Sequence, residues 1–269
     1  MKKKRVLYIS QEITPYLPES EMALIGRFLP QGIQERGREI RTFMPRFGNI
    51  NERRHQLHEV IRLSGMNLII NDADHPLIIK VASIQSARMQ IYFIDNDDFF
   101  QRKSVFGDEK QPQFDDNDER AIFFARGVLE TVKKLRWAPD LIHCHGWFTS
   151  VIPLYMKRVF FDDPLFNRAK VVFSLYNDVF ESPLNHRIQE KILLPGIKSE
   201  DVSVLAEPDH FHLMQLAINH SDALIMGSNA VPAKVAEFAR QAGKPLLEFQ
   251  NGDAYIEAYS QFYREHLGV

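Results

Sequence analysis

Glycine is scarce in this 269-residue chain, at 13 residues, or ~5% against an ordinary ~7%. The shortage matters most just after the first apolar run, Arg5 to Ser10. The turn there reads Glu12-Ile-Thr-Pro15 and then Pro18-Glu-Ser-Glu21, ahead of a helical pattern from Met22 to Arg36. At the start of an α/β domain this is where glycines and backbone N–H groups cradle a phosphate. Glu19 and Glu21 suit a helix N-terminus, but they repel a pyrophosphate. Cysteine is nearly absent, and the single Cys144 excludes a disulfide framework within the chain. Charge is balanced, 33 basic against 35 acidic residues for a net -2, so nothing draws the chain to nucleic acid or an anionic membrane. No run approaches the ~18–20 apolar residues that span a bilayer. The basic start Met1-Lys-Lys-Lys-Arg5 leads into a strand with no apolar signal stretch, so the expected location is the cytoplasm.

What is present is a core-forming pattern, 45% hydrophobic and 25% charged. Arg5–Ser10, Glu39–Met44, Met89–Asp95, Asp140–His143, Lys170–Leu175 and Ala223–Met226 read as short buried strands. Helical stripes lie between them, Met22, Ile25, Phe28, Leu29 and Ile33 in one, and Ile122, Ala125, Leu129 and Val132 in another. Alternating strands and helices predict an α/β fold with a mostly parallel sheet covered on both faces. Val60–Leu63, Leu68–Ile70 and Leu77–Val81 lack intervening helices, which predicts an antiparallel, β-rich insertion or edge. Lys103 to Asp118 is a polar loop leading into a helix from Glu119, and Pro30 is expected to kink or end the first half of its helix. Asp253 to Leu267 carries Ile256, Tyr259, Phe262, Tyr263 and Leu267 at helical spacing, a stripe expected to pack on the body of the domain. No linker divides the chain, so residues 1–269 read as one domain closing in this amphipathic helix.

Several segments together resemble the N-terminal half of bacterial glycogen synthases and plant starch synthases. They are Val6-Leu-Tyr-Ile-Ser-Gln-Glu12, Met44-Pro45-Arg46-Phe47-Gly48, Tyr92-Phe-Ile-Asp95, Pro139-Asp-Leu-Ile-His143, His145 with Trp147, Asn177, Ser221-Asp-Ala223 and Asn251-Gly252. The resemblance implies a single Rossmann-like parallel-sheet domain of the GT-B type. It also implies glucosyl transfer from ADP-glucose in a crevice against a second domain, whose place in the pattern comes after Asn251. The departures are as specific. Where the family has Lys-x-Gly-Gly-Leu and then Ala-Asp, this chain has Pro18 for the lysine, Ser20-Glu21 for the glycines, Met22 for the leucine and Leu24 for the aspartate. The family's His-x-His-Asp-Trp becomes His143-Cys-His-Gly-Trp147, and its Thr-Val-His-Asn becomes Ser174-Leu-Tyr-Asn177. Glycosyl transfer needs cations or N–H groups on the departing diphosphate, and losing one such donor costs ~3–4 kcal/mol. The resemblance with these losses implies a glycogen/starch synthase-like protein without catalytic residues, acting as a binding or regulatory protein. The open alternatives are an active glycosyltransferase completed by a partner subunit or by self-association, and an unrelated small-molecule binder.

Crevice residues expected to touch a ligand are Glu12, His145, Trp147, Tyr176, Asn177 and Asn251. His145 and Trp147 close a strand, where open α/β sheets bind ligands, though packing alone accounts for both equally well. Tyr176, Asn177 and Asp178 close another, and suit either sugar contacts or a turn. Glu12 suits a polar ligand or a basic neighbour. His143, Cys144 and His145 are zinc-ligand types, but no second cysteine or carboxylate pair joins them, so no metal is expected. The acidic runs at Asp95–Asp98 and Asp115–Asp118 read as helix caps. The expected ligand is a glucan, sugar or nucleotide sugar, with a second copy or another protein as possible partner. No cofactor is expected.

Overall fold

The short apolar runs become the strands. In this computed structural model, residues 3–252 and 254–269 are described. Among them lie β1 (Arg5–Ser10), β2 (Glu39–Pro45), β3 (His58–Glu59), β4 (Met66–Ile70), β5 (Ala73–Ile84), β6 (Met89–Asp95), β7 (Leu141–His145), β8 (Lys170–Leu175), β9 (Ala223–Met226) and β10 (Leu246–Leu247). In space they run β10-β9-β8-β7-β1-β2-β6-β5-β3, with β4 paired to β5. From β10 to β6 every pairing is parallel. β5 meets β6, β3 and β4 antiparallel, the expected β-rich edge. Several boundaries differ from the sequence reading: β2 runs on to Pro45, β7 to His145, and β4 and β5 are longer than Leu68–Ile70 and Leu77–Val81. Asp140 falls outside β7, because its carboxylate accepts the Arg5 N–H at 2.8 Å. Val60–Leu63 is a turn rather than a strand, closed by Leu63 N–H on the Val60 carbonyl at 2.8 Å.

The helices are α1 (Glu21–Glu35), α2 (Glu52–His55), α3 (Asp97–Phe100), α4 (Asn117–Lys134), α5 (Val151–Arg158), α6 (Ile188–Lys191), α7 (His210–His220), α8 (Ala233–Gln241) and α9 (Tyr255–Leu267). The acidic runs follow the reading only in part: Asn96 caps α3 through its side chain, but Asp116 at the N-cap of α4 makes no capping hydrogen bond, its carboxylate being held by the Arg102 fork, and Asp95 and Asp118 are buried in ion pairs with Arg46 and Lys80 and with Lys191. Pro30 does not end α1, which continues to Glu35 with Pro30 on its buried face. An interior proline costs ~3 kcal/mol, and burial of Met22, Leu29 and Ile33 offsets a loss of that size at ~1.5–3 kcal/mol per large apolar side chain. Phe28 leaves the expected stripe, 45% exposed beneath the Arg27 guanidinium.

Alternation along each strand separates two cores. Leu7, Ile9, Ile142, Cys144, Val171 and Phe173 face one side, together with the stripe of α4. Val6, Tyr8, Leu141, Val172 and Ile225 face the other, under α1 and α9. The α9 stripe is buried there through Tyr259, Phe262 and Tyr263. Ile256 lies over Gly32 of α1, Arg36 pairs with Glu257 at 2.9 Å, and Arg38 donates to Ser260 Oγ and the Val269 carbonyl, each at 2.9 Å. The last helix therefore folds back onto the body, as its stripe predicts. Asp253, where the sequence pattern begins it, lies outside the described residues.

Candidate functional site in the crevice

The turn after β1 is held by its own side chains. Ser20 is the N-cap of α1, its Oγ accepting the Ala23 N–H at 3.0 Å. The same hydroxyl donates to Glu12 Oε2 at 2.6 Å. One of the N–H groups that would meet a phosphate is thus taken by the chain itself. Glu12 is half-buried and turned to Ser20, not to a basic side chain. Pro18, Glu19 and Glu21 are exposed around this entrance.

Gly146 follows β7 with φ 86° and ψ 160°, a region open essentially only to glycine. A Cβ there would stand 2.8 Å from Gln11 Oε1 and from the Met22 thioether. Gln11 is itself fixed, its Oε1 accepting the Phe148 N–H at 3.1 Å. Met22 and Gln11 therefore fill the space that a larger side chain at 146 needs.

The expected crevice histidine and tyrosine are not at the surface. His145 is 1% and Tyr176 4% exposed, and they hold each other, Nδ1 to hydroxyl at 2.8 Å. The Tyr176 ring lies against Gly227, where a Cβ would come within 2.6 Å of Cε1. It is a core ring beneath the crevice rather than an exposed stacking platform. His143 and His145 share one strand face, ring centroids 3.9 Å apart, and His143 bonds Tyr263 at 2.6 Å and Ser174 at 2.7 Å. Burial pushes both imidazoles down, His145 to about 3 and His143 well below the usual range, helped there by His145. Cys144 points to the opposite core, its thiol pushed up by burial. Among the described residues no three or more His, Cys, Asp or Glu are grouped to hold a metal.

Trp147 and Glu12 do meet, in the lining of a cavity of about 390 Å³. Trp147, Phe106 and Phe180 form its aromatic wall, with ring centroids 4.7 and 5.0 Å from the indole. Glu12, Asp178 and Glu181 supply its carboxylates, and no basic side chain lines it among the described residues. Asp178 Oδ2 accepts the Trp147 backbone N–H at 2.6 Å. Its Oδ1 is buried without a hydrogen-bond partner among the described residues, 3.6 Å from the equally unpartnered His210 Nε2. Sequence reasoning missed His210. It opens α7, beyond the reach of local pattern, and only the fold sets it behind Asp178. Asn177 and Asn251 are exposed, and neither lines this cavity.

With this geometry in view, a match of residues 5–243 to the starch synthase catalytic domain model decides the family. The chain belongs to the starch synthase catalytic domain family. It is 34% identical to a glycogen synthase of Chlorobium limicola over 82% of this chain and 45% of that one. A glycogen synthase of Chlorobium luteolum is 38% identical over 70% of this chain and 39% of the relative. The chain spans about half the length of the relatives it matches. The catalytic domain of starch synthase IV from Arabidopsis thaliana, a structure bound to ADP and acarbose, shares the fold. Its TM-score is 0.73 at 15% identity, covering 93% of this chain and 52% of that one. The starch synthase-like chain shares this fold. No helix among the described residues is long and apolar enough to cross a membrane.

Proposed function

We propose that this starch synthase-like domain binds carbohydrate in its crevice and does not transfer glucose from a nucleotide sugar. The observation that carries the reading is the charge of the crevice cavity. Three carboxylates and three aromatic rings line it without a cation among the described residues, next to a helix N-terminus already capped by Ser20. A diphosphate leaving group needs positive charge or free N–H donors, and this surface offers the reverse. A neutral sugar needs acceptors for its hydroxyls and an apolar wall. The carboxylates of Glu12, Asp178 and Glu181 are such acceptors, and Trp147 is held beside Asp178 by a backbone hydrogen bond to Oδ2. The role that follows is binding or regulation of a glucan rather than its elongation.

The chain supplied with ADP-glucose or UDP-glucose and glycogen is expected to incorporate no labelled glucose above a boiled control. Incorporation clearly above that control would overturn the loss of transfer.

A further inference from the structure

A second cleft lies at the opposite end of the sheet, between the end of α1, the start of β2 and the β5–β6 hairpin, with a volume of about 460 Å³. Its chemistry is the inverse of the crevice. Arg41 and Arg88 line it, with Gln34, Gln90 and Tyr92. The Arg41 guanidinium lies near two rings, 5.5 Å from the Tyr92 centroid and 5.3 Å from that of Trp137. One of its nitrogens donates to Tyr92 Oη at 2.5 Å. Its Nε is buried without a hydrogen-bond partner among the described residues. The Gln34 side-chain oxygen is in the same condition. Glu39 also lines the cleft, but its carboxylate is occupied by Arg5 at 3.1 Å and by the Trp137 indole N–H.

The cleft sets the side chains of two arginines beside those of Gln34 and Gln90. A ligand that suits this lining carries an oxyanion for the guanidinium groups and a hydroxyl for the amides. An arginine already lying near two rings loses little freedom on taking such a partner, and Arg88, exposed on the hairpin, adds a second charge. We propose that this cleft binds a small hydroxylated oxyanion, a phosphate monoester or a hydroxy acid, through Arg41, Arg88 and Gln34. The site is separate from the crevice and does not depend on what the crevice binds.

The test is a nitrogen-detected NMR titration of the full chain, reading the side-chain amides of Gln34, Gln85 and Gln90. Glycerol 3-phosphate and glycerate serve as the two oxyanions, with glycerol as the neutral control. Saturable shifts with either oxyanion and none with glycerol are expected, and which one binds more tightly identifies the anion. Arg41→Lys keeps the charge but loses the planar fork, and is expected to weaken binding at least about tenfold. Arg88→Ala, at an exposed position outside the core, is expected to weaken it with an unchanged melting temperature. The proposal is overturned if neither oxyanion gives saturable shifts, or if Arg88→Ala and a folded Arg41→Lys both bind as the parent does.

Discussion

Acidification from about pH 6.5 to about 5 is expected to destabilise the fold by about 2 kcal/mol through His145 alone, with His143 acting in the same direction, before most carboxylates titrate. His143 and His145 are buried and neutral, with imidazole pKa values pushed down chiefly by loss of water. In the unfolded chain both take up a proton below their ordinary value of ~6.5. Between that value and the depressed folded one, the unfolded state binds more protons. Stability therefore falls as pH falls, by about 1.4 kcal/mol per pH unit for each imidazole. The full stability is present above the unfolded value and is lost toward the folded one, about 3 for His145. Urea unfolding at several pH values measures the slope directly. His145→Gln keeps a polar group for Tyr176 and removes one titration, so its slope should be about one proton shallower. Equal slopes in the parent and the variant would show that His145 is not held neutral.

Gly146→Asp, which places there the aspartate that the sequence resemblance implies, is expected to be among the most damaging single changes in the chain. The backbone at φ 86° and ψ 160° costs a side-chain-bearing residue ~1–3 kcal/mol. The Met22 thioether and Gln11 Oε1, each 2.8 Å from the new Cβ, add an overpacking cost of ~1–3 kcal/mol. A carboxylate in this buried turn adds desolvation beyond both. Gly146→Ala isolates the first two contributions, at about 2–6 kcal/mol in total. Met22→Leu in the Gly146→Asp background should recover only part of the packing share, because the backbone share does not depend on Met22. Chemical denaturation of the three variants measures this. An alanine variant within ~0.5 kcal/mol of the parent, the range of an ordinary surface change, would refute it.

These two results rest on features of different legibility. The parallel strands could be read because each is a short apolar run between turn signals. Lys170–Leu175 and Ala223–Met226 appear with the bounds that their sequence suggests. β5 was harder to see. It extends from Ala73 to Ile84 where only Leu77–Val81 stands out, since exposed polar residues and Pro76 interrupt its apolar pattern. The altered family motifs marked Ser20, Gly146 and Tyr176, but not what each does. Ser20 caps a helix that Met22 alone would announce. Tyr176 and His145 end strands, as crevice residues do, and yet they are sealed in the polar core that α9 covers. The His143 bond to Tyr263 spans a sequence separation of 120 residues, and no local periodicity encodes it. Asp178 gains its meaning from His210 in the same way. Arg41 is an ordinary charged strand residue until the fold brings Trp137 and Tyr92 near it.

The central claim is that the crevice has exchanged diphosphate binding for neutral carbohydrate binding. Its most direct measurement is paired calorimetry of the chain with maltotriose and with ADP, repeated on Asp178→Ala. Maltotriose should bind saturably and lose at least about tenfold in affinity in the variant, as a hydrogen bond to a charged group predicts. ADP should show no binding at micromolar concentration, since Glu12, Glu19 and Glu21 surround an already capped helix N-terminus. Micromolar ADP affinity together with no heat from maltotriose would contradict the account.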